Sequence, residues 1–369
     1  MSPLQAALPR GMYVDPAAWL RERDRVLHGE WFCVGRTRDL GLAEAGRVAV
    51  VDVAGESVLV TRDEEGALHA AYNVCRHRGS QLVPAAPGAP PACAAVGALR
   101  CPYHSWTYSL AGELLRSPHA DDVDPADFSL HPVGVEEWEG FVLVHLTPSA
   151  AAPVGDVLAK ASVNLRNYAM GDLVTGLTLT YEVAANYKVV AENYNECYHC
   201  GPVHPELTRL VPAFGSGGAG LAWEDGIPHR EGAWTFTMTG TTDRSPLPGL
   251  SEAERTRHKG ELIHPNLMLS CSADHVAAFV LLPQDVARTR IDCHLLFARE
   301  AVEDPAFDPS DAADLWDLVN RQDWAICESV QRGMSSRAYT HGWFAPMEDD
   351  SADIRRWLLP RLDPGRHDG

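Results

Sequence analysis

Between Trp31 and about Leu146, short apolar runs such as Val48–Val53, Ser57–Thr61 and Phe141–His145 alternate with glycine-rich turns. Runs of this length bounded by turn residues predict short strands, and several in succession predict a small all-β domain. Ahead of them, residues 15–30 open on Asp15-Pro16 and continue at helical spacing, which predicts an N-terminal helix. The stretch Thr147–Gly155, rich in Pro and Ala, reads as a linker. Beyond it, strands are expected around Leu177–Tyr181, Trp234–Thr239, Ala277–Leu282 and Arg290–Ala298. Residues 310–335 form a predicted helix, with a start signal at Asp308-Pro309 and apolar positions Leu315, Leu318, Val319, Ile326 and Val330. No internal repeat is visible, and the expected class is α+β.

At 369 residues the chain exceeds what one core usually supports, so two domains are expected. A formal charge of −19 argues against a nucleic-acid partner, which rewards clustered Lys and Arg. No run approaches the ~20 apolar residues of a membrane span, and no leader-like stretch opens the chain, so a cytoplasmic protein is expected. Nine scattered cysteines without a leader point to a reducing compartment rather than a disulfide framework.

Chemistry concentrates in two places. In the first, Cys75-Arg-His77 is followed by Cys101-Pro-Tyr-His104. Each element contributes one Cys and one His, the ligand set of a Rieske [2Fe-2S] centre, in which two His replace two Cys on one iron. A structural zinc site would instead place both Cys in one element and both His in another. Residues 78–100 carry Pro84, Pro87, Gly88, Pro90 and Pro91 and read as a surface loop insertion, because Pro removes ladder donors. Cys93 inside it is not taken as a ligand.

In the second place, Glu192-Asn-Tyr-Asn-Glu196-Cys-Tyr-His199-Cys-Gly-Pro-Val-His204 offers two imidazoles beside carboxylates, the makings of a facial triad for non-haem Fe(II). His199 and His204 would point about 140° apart on a regular helix, so a break is expected, and Gly201-Pro202 is the expected source. Glu196, three residues before His199, is expected on the same helical face. Cys197 and Cys200 are read as pocket lining, since thiolates would favour zinc. A third ligand is expected on the long helix. Asp323 falls near its buried side, where an unpaired carboxylate is costly, but spacing alone does not separate it from Asp317 or Glu328.

The stretches Cys75–Leu82 and Cys101–Gly112 closely resemble the Rieske domain of the Rieske non-haem iron, or ring-hydroxylating, oxygenases. The resemblance implies a small all-β Rieske domain plus a helix-grip catalytic domain, an antiparallel sheet around a C-terminal helix. The boundaries expected are an N-terminal helix over 1–30 packing on the catalytic domain, a Rieske domain over 31–147 and a catalytic domain over 156–369. Gln322-Asp323 with Glu328 and Gln331-Arg-Gly333 matches the family's C-terminal helix, which implies His199, His204 and Asp323 as iron ligands.

Also implied are Glu196 as the carboxylate that passes electrons between a neighbour's Rieske histidine and this iron, with Asn193 counted beside it as catalytic, and a head-to-tail homotrimer. An NAD(P)H-dependent reductase, directly or through a ferredoxin, would supply electrons, and substrate binding would open the iron to O2. Glu196, where most relatives carry Asp, the Glu-Cys-Tyr-His-Cys wording and His264–Ser270 resemble the choline and glycine-betaine monooxygenase branch. A quaternary ammonium substrate would want aromatic walls, and Trp223, Trp234, Phe236 and Phe279 are the candidates, although aromatics at such positions are more often plain core. Aromatic-ring or natural-product hydroxylation is the alternative. A pure Rieske electron carrier, holding two irons per chain instead of three, is a more distant one.

Overall fold

The computed structural model describes residues 4–85, 92–120, 122–218 and 220–363. Contacts divide the chain into one unit over Leu27–Asp156 and a second made of the flanking segments, up to Val26 and from Val157 onward.

In the first unit, seven strands lie in the spatial order Phe32–Arg36, Phe141–His145, Pro132–Trp138, Leu68–Tyr72, Glu56–Arg62, Arg47–Val53 and Ala92–Ala95, each antiparallel to its neighbour. A second, three-stranded sheet of Leu99–Arg100, Thr107–Tyr108 and Leu114–Arg116 packs its Leu99, Tyr108 and Leu114 into a core with Val48, Val50 and Leu59.

The expected loop over residues 78–100 gives way to two short strands at its far end, Ala92–Ala95 and Leu99–Arg100. Residues 86–91 lie outside the described residues, but Ala92–Ala95 pairs with Arg47–Val50 as an edge strand. The prolines precede this stretch and Ala and Cys can donate to a ladder, so nothing in 92–95 opposes pairing. Cys93 is exposed and its thiol lies 3.3 Å from the Gly41 carbonyl. Gly41 sits at φ +73°, and a Cβ there would come within 2.7 Å of that sulfur, so only glycine admits the edge strand this close.

In the second unit, Val174–Val183, Arg288–Phe297, His275–Asp285, Leu267–Cys271, Arg257–Ile263 and Ile227–Pro228 form a six-stranded antiparallel sheet. The helix Ser310–Met334 packs into the same core, burying Ala312, Leu315, Trp316, Val319, Trp324, Cys327 and Met334 among Ala277, Phe279, Leu281 and Leu295 of the sheet. Its buried stripe therefore differs from the expected one: Ile326 and Val330 are 38% exposed, while Trp316, Trp324 and Asn320 face inward.

The expected strand at Trp234–Thr239 is absent among the described residues. Threonine hydroxyls compete for its backbone: Thr237 Oγ1 donates to the Thr241 carbonyl at 2.7 Å, and the Trp234 N–H bends back to Gly240 at 2.8 Å. The N-terminal helix Pro16–Glu22 is capped by Asp15, whose carboxylate accepts from the Ala17 N–H at 2.9 Å. It ends on Glu22, fully buried and 2.8 Å from the equally buried Lys188 ammonium, with the Tyr187 hydroxyl donating at 2.6 Å.

Candidate functional site

The two Cys/His loops of the first unit fold alike. The Cys75 N–H donates to the Ser80 carbonyl and the Cys101 N–H to the Trp106 carbonyl, each at 2.8 Å and five residues on. Four residues after each Cys the chain turns left-handed, at Gly79 (φ +74°) and Ser105 (φ +62°), and each of these N–H groups returns to the cysteine carbonyl. A left-handed Ser is an uncommon, mildly strained choice, the kind that clusters where geometry is over-determined.

Both cysteines are buried while His77 and His104 are exposed, with ring centroids 4.7 Å apart. The loops thus bring two sulfurs inside and two imidazoles outside, an arrangement that fits a cluster with one iron toward the core and one toward solvent. Burial pushes the Cys101 thiol up, but the Tyr103 and His104 N–H groups, with Cys75 and Ser80, outweigh it and hold it below its ordinary value. Two supporting residues lie within the resembling stretch Cys101–Gly112, but the sequence pattern does not single them out. The Tyr108 hydroxyl lies 3.3 Å from the Cys75 sulfur, and Trp106 stacks on His77 with centroids 5.0 Å apart.

In the second unit, His199, His204 and Asp323 each offer one ligand atom, all within 4.8 Å of one another. His204 Nε2 is 3.2 Å from His199 Nε2 and 2.8 Å from Asp323 Oδ1, which is 3.2 Å from His199 Nε2. The break between the histidines is at His204 itself (φ −120°, ψ 68°), not at Gly201-Pro202, which lie inside the helical turn Cys200–Val203. Pro202 falls in a first turn, where its missing N–H costs nothing, whereas Pro205 drives the residue before it out of the helical region.

Glu196 also departs from expectation: it lies beyond the end of the helix Tyr187–Tyr194, in irregular chain rather than on a helical face. One carboxylate oxygen pairs with His199 Nδ1 at 2.6 Å, and the other accepts from the Tyr198 and His199 N–H groups. Gln322 Oε1 takes the corresponding position on His204 Nδ1 at 2.7 Å. Both imidazoles therefore have Nδ1 engaged and Nε2 turned toward Asp323, the orientation that a metal-binding histidine requires. Asn193 Nδ2 lies 3.4 Å from His199 Nε2.

Burial opposes a proton on His199, yet Asp323 and Glu196 on either side push its pKa up to about 11. For Asp323, burial alone would raise the carboxyl, but the hydrogen bonds to His199 and His204 hold it below the usual range. Three converging ligand atoms with one negative charge suit a divalent cation. Asp317 and Glu328 are elsewhere: Asp317 accepts from the Tyr181 hydroxyl at 2.9 Å and Glu328 from the Ala184 N–H at 3.1 Å.

These three residues line a cavity of about 640 Å³. Trp223, Phe236 and Phe279 contribute walls, and so do Trp316 and Trp324, which the sequence pattern does not mark; Trp234 is not among the lining residues described. Cys197 and Cys200 line it as well. Trp316 is fixed from behind: its indole N–H donates to His275 Nε2 at 2.8 Å, and His275 Nδ1 is 2.8 Å from the buried Asp274 carboxylate. It meets Phe236 and Phe279 edge-on, with centroids 5.6 and 5.8 Å away.

The chain matches two family models, the Rieske [2Fe-2S] domain over residues 30–130 and the ring hydroxylating alpha subunit (catalytic domain) over 170–363. It belongs to the Rieske ring-hydroxylating oxygenase family. A glycine betaine monooxygenase oxygenase subunit of Pseudomonas aeruginosa (strain UCBPP-PA14) is 30% identical, over 91% of this chain and 84% of the relative. A carnitine monooxygenase oxygenase subunit of Escherichia coli (strain K12) is 28% identical, over 90% of this chain and 85% of the relative. The crystal structure of the quaternary ammonium Rieske monooxygenase CntA with L-carnitine aligns at TM-score 0.72 and 25% identity, over 98% of this chain and 97% of that one. Naphthalene 1,2-dioxygenase from Rhodococcus sp. aligns at TM-score 0.72 and 18% identity, over 97% of this chain and 95% of that one, and shows the shared fold alone. The matched domains imply a Rieske [2Fe-2S] cluster and a mononuclear iron, with O2 as co-substrate and electrons from a reductase. No described helix is long and apolar enough to cross a membrane.

One buried acid of the oxygenase lies close to this centre without taking part in it. The Glu192 carboxylate accepts the Tyr13 hydroxyl at 2.5 Å, and burial pushes its pKa up to about 8 despite that bond and the nearby Lys188 charge. Unfolded, the group releases its proton near 4.5, so between about 4.5 and 8 the unfolded state binds fewer protons and stability falls as pH rises. Glu192→Gln removes this contribution. Its melting temperature relative to the wild type is expected to be roughly 5 °C more favourable at pH 8 than at pH 5, read by calorimetry. A gap independent of pH would show that Glu192 is ionised in the folded protein.

Proposed function

We propose that this oxygenase component oxidises an N-methylated ammonium compound at an iron held by His199, His204 and Asp323, with electrons from a cluster held by Cys75, His77, Cys101 and His104. The observation that carries the reading is the meeting of three ligand atoms on an aromatic-walled cavity, in a chain that also has two matched Cys/His loops. When bound, the mononuclear iron would activate O2 and the cluster would deliver electrons one at a time.

The chain's own residues then do the rest. Glu196 and Gln322 hold the two imidazoles with Nε2 toward Asp323, Asn193 stands beside His199, and the aromatic walls exclude water and receive a cation, whose attraction to ring faces grows as it is desolvated. In a head-to-tail homotrimer, Glu196 would also stand between this iron and His104 of a neighbouring copy. The N-terminal segment 1–30 would serve the catalytic domain over 156–369, and 31–147 would be the Rieske domain; the burial of Glu22 against Lys188 supports the first assignment. Residence in the cytoplasm, beside a separate NAD(P)H-dependent reductase, completes the proposal.

The relatives named for glycine betaine and carnitine support the substrate class. Hydroxylating an N-methyl group consumes one O2 and two electrons with two protons, gives N–CH2OH and water, and the carbinol then releases formaldehyde. Iron-loaded protein with a surrogate reductase is therefore expected to oxidise NADH and release stoichiometric formaldehyde with an N-methylated ammonium substrate. Turnover confined to aromatic acids would overturn the ammonium reading and leave the oxygenase family untouched.

A further inference from the structure

Around the mouth of the cavity the charges are one-sided. Lys160 is the cationic side chain that lines it among the described residues, and it is already engaged: its ammonium lies 3.1 Å from Glu261 Oε1. Glu261 is 9% exposed, and its other oxygen accepts from Asn164 Nδ2 at 3.1 Å, so the carboxylate is buried with both oxygens satisfied. Glu224, Asp225, Asp350 and Asp353 line the same cavity, the last of them paired with Arg356 at 2.7 Å. Away from the metal-binding residues, the two remaining imidazoles of the described lining, His258 and His264, add no positive charge. Burial pushes His258 well below its ordinary pKa and His264 down to about 4.

A zwitterionic substrate has two ends to satisfy. Its ammonium end suits the walls, where Phe236, Phe279 and Trp316 present ring faces and edges at steep mutual angles. Its carboxylate end needs a cationic or N–H donor, because an unpaired carboxylate loses its solvation without compensation. Outside the three metal-binding residues Lys160 is the described lining residue with a positive charge, and it is already shared with Glu261. The Trp324 indole N–H can donate but carries no charge, so a second carboxylate would face Glu224, Asp225 and Asp350 with little to offset them. A substrate without a carboxylate meets no such conflict, and the acidic mouth concentrates cations in front of it.

We propose that the cavity takes an N-methylated ammonium compound that is cationic overall, its far end neutral or itself cationic, in preference to a zwitterionic betaine. This deepens the ammonium reading above and rests on it.

The test compares matched pairs on the iron-loaded enzyme by calorimetric titration: γ-butyrobetaine against its methyl ester, and glycine betaine against choline. The ester and choline are expected to bind about tenfold or more tightly than their partners. In Glu261→Gln, Lys160 is free to meet a substrate carboxylate, and the preference is expected to shrink about threefold or more. Equal or tighter binding of the two zwitterions by the wild type overturns the inference while leaving the ammonium reading in place. Binding of none of the four, with turnover of an aromatic acid, overturns both.

Discussion

Asp323→Ala is expected to lower turnover by about a thousandfold or more, while the visible spectrum of the Rieske cluster stays unchanged and the iron content falls from three per chain toward two. Asp323 supplies the one negative charge among the three converging ligand atoms, and its Oδ1 is within 3.2 Å of both His199 and His204. Removing it leaves two neutral imidazoles, a set that holds Fe(II) far less tightly than one that includes a carboxylate. The helix that carries Asp323 is anchored by Leu315, Trp316, Val319 and Trp324 in the core, so truncation at one lining position should spare the fold. Asp323→Asn keeps the shape without the charge and is expected to behave like Ala. Full activity with three irons in either variant would remove Asp323 from the site.

Glu196→Gln should give a different failure: all three irons retained, and transfer from the reduced cluster slowed by about 10- to 100-fold, read as the rate of cluster reoxidation in a single turnover. Glu196 uses both oxygens, one on His199 Nδ1 and one on two backbone N–H groups of the turn. Glutamine has a single acceptor oxygen, so it can cap the turn or accept from His199, but not both. The imidazole then loses the charged partner that fixes its tautomer and orientation. Loss of the mononuclear iron in this variant would mean instead that Glu196 mainly secures the metal, and an unchanged transfer rate would remove it from the electron path.

The chemistry was more legible than the shape. Cys75, His77, Cys101 and His104 stand out because the pairing of one Cys with one His in each of two short elements has few other uses. The long helix at Ser310–Met334 was readable from its start signal and spacing, but not its orientation. Ile326 and Val330 fit an apolar stripe yet face outward, because the aromatic bulk of Trp316 and Trp324 claims the interior. Trp234–Thr239 looked like a strand by residue type, and threonine side chains unmade it by bonding to the local backbone. The edge strand Ala92–Ala95 was hidden behind a run of prolines that ends just before it. At the iron site the break falls at His204 rather than at Gly201-Pro202, since a residue before Pro is more constrained than one beside Gly. Trp316 and its His275–Asp274 support were invisible for another reason: they come together only when the sheet packs against the helix.

The central claim is that the two sites of this chain work as one catalyst. The direct test is a single turnover: iron-loaded enzyme with its cluster reduced under anaerobic conditions is mixed with O2, with and without an N-methylated cation, and cluster absorbance and formaldehyde are followed together. The expected result is fast reoxidation of the cluster only when the cation is present, with formaldehyde appearing in step, and neither event in Asp323→Ala. Formaldehyde formed while the cluster stays reduced, or reoxidation equally fast in Asp323→Ala, would contradict it.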